Sequence, residues 1–276
     1  MYVGVDVGGT KTLVATLNND GVITESRKFP TPHNYQHFLL ELRHAVAFMT
    51  THEFKAGGVA IPATHIDREH GIGVSFGNLP WRNVHILADV EKILHCPMVL
   101  ENDAKLAGLS EAMLLKHDYS RVLYVTVSTG IGYGLTVEGK IDTNIGDAGG
   151  KGIILPYKGH NVPWESFASG HAIVERYGKR AEDIHDAATW KKIVHDLGLG
   201  LVELIAVTQP DVIVIGGSVG TYFERYHSIL TDELRQYHTP LIKFPVFRKA
   251  QRPEQAVVYG CYDLAKATFT HNAHRA

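Results

Sequence analysis

Four short stretches carry the side chains capable of chemistry. In VGVDVGGTKT (3–12) an apolar run delivers Asp6 to a Gly8-Gly9 pair followed by Thr10 and Lys11. A strand ending in a tight Gly-Gly turn brings backbone N–H groups close enough to receive a phosphate, with Thr10 and Lys11 as further donors. The Asp6 carboxylate repels phosphate directly but can hold the water shell of a Mg²⁺ ion. Taken alone, an ordinary hairpin explains the stretch equally well. VSTGIGYG (127–134) offers Ser128, Thr129 and Gly130, donors without a carboxylate. PDVIVIGGSV (210–219) ends a strand in Gly216-Gly217, permitting the close backbone approach an adenosine needs. In LENDA (100–104), Asn102 and Asp103 stand where a strand gives way to a helix. An acid there suits a general base, whereas an Asn at a helix start commonly serves as its cap.

A fifth stretch, IGDAGGKGI (145–153), looks like a phosphate cradle but lacks the spacing of one. A P-loop needs Gly, four residues, then Gly-Lys-Ser/Thr. Here the position four before Gly150 is Gly146, the one required is Ile145, and Gly152 follows Lys151.

The elements that must position these groups follow from periodicity. Residues 2–7, 10–17 and 22–29 read as three strands, with NNDG (18–21) as a hairpin turn. Residues 35–51 form an amphipathic helix, 57–62 a buried strand ended by Pro62, 85–94 a helix, 97–101 a strand and 103–115 a helix. The order βββαβαβα then restarts after KHDYS (116–120), with a strand at 121–128, a Gly-rich turn at 129–134 and a strand at 135–139. VGVDVGGTKTLVAT aligns with YVTVSTGIGYGLTV at an offset of 122 residues, Asp6 opposite Ser128 and Gly8 opposite Gly130, as in a duplicated lobe. A helix at 189–209, a strand at 211–217, a helix near 220–237 and a final helix at 256–269 complete the pattern, before a frayed tail, THNAHRA.

Bulk properties bound the function. The 276 residues are 45% hydrophobic and 20% charged, enough for two lobes with their own cores. A net charge of −2 gives no footprint for nucleic acid or an anionic membrane. No signal peptide or membrane span is read, and the isolated Cys96 and Cys261 suit a reduced, cytoplasmic setting.

The ordered set DVGGTKT, LENDA, STGIGYG and DVIVIGG resembles the ROK family of sugar kinases and related repressors, from residue 2 to about 268. NLPW (78–81) is similar to the family's Asn-Leu-Pro-Gly-Trp stretch, shortened by its glycine. The resemblance implies an α/β, two-lobed actin/hexokinase-like (ribonuclease H-like) ATPase fold with an ATP cleft between lobes. Expected boundaries are 1–118 for the sugar-side lobe, 119–255 for the nucleotide lobe, and 256–276 for a C-terminal helix packing back on the first. It implies ATP and Mg²⁺, with Asp6, Gly8, Gly9, Thr10, Lys11, Ser128, Thr129, Gly130, Gly216 and Gly217 serving the nucleotide and its metal. Asp103 is implied as general base, with Asn102, Asp103, Glu165 and Asn78 on the sugar. A homodimer is also implied.

The chain departs from the family in one region. The family loop Gly-x-Ala-Gly-Glu-x-Gly-His keeps its first half at residues 146–149, but its Glu is Gly150 and its His is Ile153 here. The family's zinc-binding cysteines are absent from YKGHNVPWESFASG (157–170), where Trp164 replaces the last of them and Glu165 is retained. No structural zinc is therefore expected, with Trp164 and Ile153 filling its space. The leading reading is an ATP-dependent kinase acting on a hydroxyl of a hexose or related sugar. The alternative is a degenerate sugar or nucleotide sensor of the same fold, without a DNA-binding domain.

Overall fold

The computed structural model describes residues 1–252 and 254–270; the tail from residue 271 lies outside the described residues. The chain forms two compact units, one of Met1–Ser110 with Glu254–Ala276 and one of Glu111–Pro253.

In the first unit, strands β1 (Tyr2–Val7), β2 (Lys11–Leu17) and β3 (Ile23–Pro30) form an antiparallel meander. Helix α1 (Tyr35–Ala47), capped by the Asn34 side chain, leads to β4 (Ala56–Ile61), which lies parallel to β1. Strands β5 (Ala63–Asp67), β6 (Ile72–Phe76) and β7 (Arg82–Val84) make a separate small sheet. Helix α2 (Ile86–Leu94), strand β8 (Met98–Asn102), parallel to β4, and helix α3 (Asp103–Leu115) follow. The main sheet has the order β3-β2-β1-β4-β8. β1 and β4 are almost wholly buried, as strands covered on both faces must be, which explains the apolar run of β4 and that of β1, interrupted only by Asp6.

The second unit repeats this plan. β9 (Arg121–Val127), β10 (Ile131–Val137) and β11 (Lys140–Ile141) form the meander. A hairpin of β12 (Ile154–Tyr157) and β13 (His160–Pro163) precedes α4 (Glu165–Ala168), α5 (Gly170–Tyr177) and the long α6 (Ala187–Thr208). β14 (Val212–Gly216) lies parallel to β9; α7 (Gly217–Gly220), α8 (His227–Arg235) and the edge strand β15 (Val246–Lys249) close the unit. Its main sheet, β11-β10-β9-β14-β15, has the same connectivity as the first.

Several details differ from the periodicity reading. Gly132 and Gly134 lie within β10, paired with Thr126 and Tyr124, so the glycine-rich turn shrinks to 128–130. The 149–150 loop packs closely there: a Cβ at Gly149 would lie 3.3 Å from the Gly132 Cα. Strands β5 to β7 escape the pattern, being short and only partly buried. The helix expected near 220–237 is broken into α7, a 3-10 turn at Phe223–Arg225 and α8, because Tyr226 turns inward to stack on Trp190 at 4.7 Å. Helix α1 stops at Ala47, where the Phe48 N–H closes onto His44 and Val46.

The final helix, α9 (Ala256–Thr270), belongs to the first unit. Gly4 of β1 and Gly58 of β4 admit it: a Cβ at Gly58 would fall 2.8 Å from the Cys261 Cβ. On its other side Gly260 touches α3 so closely that a Cβ would overlap the Leu106 carbonyl. Gly260→Ala is therefore expected to cost about 1–3 kcal/mol through overpacking. Gly146→Ala, with open space around it, should stay within about 0.5 kcal/mol of wild type. Urea unfolding of the two variants checks the contrast.

Candidate active site

β1, β4 and β8 run in the same direction, so their C-terminal ends share one edge of the first sheet. Asp6 sits near the end of β1, paired with Ala60, while Ile61 pairs with Asn102 at the end of β8. Asp6 and the residue after β8, Asp103, thus lie two strands apart, about 10 Å between backbones at the usual spacing. Ligands of open parallel sheets gather at such an edge.

The Asp6 carboxylate accepts no hydrogen bond among the described residues. Its pKa is pushed up to about 7, first by desolvation and then by the negative charge of Asp103, with Lys11 and Lys28 opposing. Such a carboxylate fits the water shell of a divalent cation, which would supply the missing counter-charge. Asp103 is raised to about 6, again chiefly by burial, against the pull of backbone N–H groups. One of its oxygens accepts the Ala104 N–H at 2.8 Å, its own backbone N–H also bonds the carboxylate, and no side chain among the described residues does.

Asn102 takes the cap position of α3. Its Oδ1 accepts the N–H groups of Ala104 (3.0 Å) and Lys105 (3.2 Å), and its Nδ2 donates to Ala63 O at 3.0 Å. One amide hydrogen remains for a ligand. Glu101, next door, is buried and gripped by Arg68, while its Oε1 also accepts the Asn102 N–H at 2.7 Å. This clamp was invisible in sequence, since Arg68 lies 33 residues away on the turn after β5.

The first hairpin turn spans residues 8–11, with Gly8 donating to the Lys11 carbonyl at 3.1 Å. A Cβ at Gly8 would stand 2.7 Å from that carbonyl, and one at Gly9 would stand 2.8 Å from the Asn78 Cβ. The Gly-Gly pair therefore brings Asn78, from NLPW, against the turn. Thr10 and Lys11 side chains are exposed there. Trp81 of the same stretch is buried beside Phe38 and Phe76 and donates its indole N–H to His33 O at 2.8 Å.

In the second unit, β9 and β14 are parallel neighbours, with Thr126 opposite Gly216. Ser128 and the start of α7 consequently share an edge, and Ser128 Oγ lies 3.4 Å from Ser218 Oγ. A cavity of about 470 Å³ opens there, lined by Ser128, Thr129, Gly170, Ser218, Thr221 and Tyr222 among others. Gly216 and Gly217 serve the chain itself: a side chain at Gly216 would overlap the Tyr124 ring, and Gly217 has φ 77° with a Cβ site 2.5 Å from Val127 O. The residues facing the cavity come just after them. Ser218, Thr221 and Tyr222 were missed because they follow a glycine signal that pointed only to backbone. The alignment of Asp6 with Ser128 is one of sequence position: Asp6 is within a strand, opposite Leu13, while Ser128 is in a turn, donating to Gly130 O at 2.8 Å.

Glu165 opens α4, and its Oε2 accepts the Ile131 N–H at 2.8 Å, so that a Cβ at Gly130 would overlap it. Lys151 Nζ stands 3.6 Å from its other oxygen. Gly150 is buried with Ile131 and Glu165 around it: a Cβ would lie 2.9 Å from the Ile131 Cβ. A glutamate could not be restored at 150 without displacing that wall. Ile153 packs against the core and Trp164 is fully buried within it, its ring filling the groove that Gly200 leaves in α6. Among the described residues no group of three His, Cys, Asp or Glu side chains could hold a metal ion, so the residues at 150–170 do not fit a zinc. No helix among the described residues is long and apolar enough to cross a membrane.

Two sheets of the same strand connectivity define an actin/hexokinase-like α/β fold, and the comparisons agree. The ROK family model matches residues 2–268. N-acetylmannosamine kinase of Escherichia coli O127:H6 is 30% identical, over 86% of this chain and 91% of that protein. The ROK hexokinase of Thermus thermophilus superposes with a TM-score of 0.78 at 25% identity, covering 98% of this chain and 99% of that one. The ROK glucokinase of Streptomyces griseus, solved with glucose and AMPPNP, gives 0.80 at 23% identity over 96% and 99%, a likeness of fold alone. The chain belongs to the ROK family.

The raised carboxylates have a consequence for stability. A carboxyl with an elevated folded pKa binds its proton more tightly folded than unfolded, so its contribution is present near pH 4 and is lost as pH rises through about 6 to 7. In metal-free protein, Asp6→Asn and Asp103→Asn should each be more stable than wild type at pH 8, by about 1–3 kcal/mol. The gain should shrink toward zero near pH 4, as thermal melts across that range would register.

Proposed function

We propose that this sugar kinase of the ROK family transfers the terminal phosphoryl group of ATP to a hydroxyl of a hexose or hexose derivative, with Asp103 as general base. One observation carries the reading: at a sheet edge Asp103 presents a carboxylate bonded by backbone N–H groups and by no side chain among the described residues, with its pKa raised to about 6. A base of that strength is ionised at neutral pH yet accepts a proton more readily than an ordinary aspartate.

The other residues divide by unit. Asp6 would hold the Mg²⁺ through its water shell, and the metal, when bound, supplies charge neutralisation at the phosphates. The Gly8–Lys11 turn directs N–H groups and the Lys11 ammonium at the transferring phosphoryl group. Ser128, Thr129, Gly130 and Ser218 would receive the phosphates from the second unit, and the cavity beside them the rest of the nucleotide. Asn78 and the free amide hydrogen of Asn102 would orient the sugar, and Glu165 would accept from one of its hydroxyls. With glycine at 150 and isoleucine at 153, sugar recognition rests on fewer polar side chains than the family pattern provides. The relatives' names make N-acetylmannosamine and glucose the first acceptors to assay, and fructose a useful third.

Asp103→Asn should lower sugar-dependent ATP turnover by about 10²–10⁴-fold, the usual worth of a positioned base, while AMPPNP affinity stays within about twofold. In wild type, kcat/KM should fall as pH drops through about 6, where the base becomes protonated. Turnover by Asp103→Asn close to wild type would remove Asp103 from the role. Nucleotide binding with no turnover on any hexose would instead favour a sensor.

A further inference from the structure

A second cavity in the Glu111–Pro253 unit, of about 740 Å³, is lined by the β12–β13 hairpin, the end of α5, one face of α6 and Glu233 of α8. Its charges do not balance. The two acids on its wall are already taken: Asp196 is held by Arg176, and Glu233 by His195 at 2.7 Å. Lys158, Lys191 and Lys192 also line it, and none of the three has an acidic partner among the described residues. Three ammonium groups without compensating anions thus share one concave surface on a chain whose net charge is −2. Such a concavity concentrates anions, and lysine binds phosphate as a point charge.

The wall is also braced from within. Tyr157 stacks on Phe167 with centroids 4.0 Å apart and 6° between planes, and its hydroxyl receives Arg176 Nη2 at 2.6 Å. The space is ample for a phosphate together with an organic body.

Helix α5 runs from one cavity to the other. Its His171 and Val174 line the 470 Å³ cavity and its Arg176 and Tyr177 the larger one. At its start the Gly170 N–H is bonded to Ser128 O at 2.7 Å. We propose that the larger cavity is an effector site for a phosphate-bearing small molecule, coupled through α5 to the Ser128 turn. The coupling rests on reading the Ser128 cavity as the nucleotide site; the binding does not.

Calorimetric titration of the full chain with inorganic phosphate and with glucose 6-phosphate tests the binding. Lys191→Gln/Lys192→Gln is the test variant, and Lys140→Gln, a lysine of β11 outside the cavity, is the control. The double variant should lose at least about tenfold in affinity for the probe, and the control should match wild type. Thermal melts confirm that both variants remain folded. Glucose 6-phosphate binding more tightly than phosphate means that the tyrosine wall reads the organic part, and equal binding means that the phosphate alone is read. Either outcome supports the site. No binding by wild type at about 10 mM probe, a loss in the control equal to that in the double variant, or no loss in the double variant overturns it. AMPPNP titrated with and without saturating probe tests the coupling: a shift in affinity seen in wild type and absent from the double variant upholds it, and no shift overturns it. Failure of AMPPNP to bind at all would count against the nucleotide reading, and the probe titrations would still decide the site.

Discussion

Asp6 and Asp103 are carboxylates held where water solvates them poorly, and no lysine or arginine forms an ion pair with either among the described residues. Much of the first unit can be understood as the scaffold for that costly arrangement. Three parallel strands must end at one edge, β1 and β4 must be covered on both faces, and α9 must come close enough to cover one of them. The glycines at 4, 58 and 260 are the local expression of that need.

The second unit uses the same sheet for a different end. Both hairpins leave three residues between their strands, but the first carries an acid, Asp6, in the strand before its Gly-Gly turn, whereas the second carries the hydroxyls of Ser128 and Thr129 in the turn itself. On the function proposed above, a duplicated architecture with divergent tips would separate two tasks that conflict in one place. A site for metal and base wants negative charge, and a site for polyphosphate excludes it.

Much of this was legible from sequence because the relevant residues sit at strand ends, where an apolar run followed by glycines or an acid is a local signal. DVGGTKT, LENDA and DVIVIGG each announce such an end. What escaped was non-local. The Arg68 clamp on Glu101, the Asn78 contact with Gly9 and the bond from Gly170 to Ser128 join residues 33 or more positions apart and leave no spacing to read. Strands β5 to β7 escaped for another reason: they are short, mostly half-buried, and interrupted by irregular register at Ala63, His65 and Ile66. Gly132 misled because glycine marks both a turn and a strand that another segment approaches closely.

The region from 145 to 170 shows how packing can do what a metal ligand set does elsewhere. A structural metal restrains a loop by tying distant side chains to one point. Here Trp164 is sunk into the groove at Gly200 and donates its indole N–H to Asp196 O at 3.2 Å. The side chain of Asp196 holds Arg176, and Arg176 holds Tyr157 of the hairpin. Trp164 immediately precedes Glu165, so this lattice fixes where α4 begins and therefore where the Glu165 carboxylate meets Ile131. The same lattice forms one wall of the lysine-lined cavity. This packing positions Glu165 through side chains alone, and the side of the hairpin facing α6 lines the cavity proposed above as an effector site.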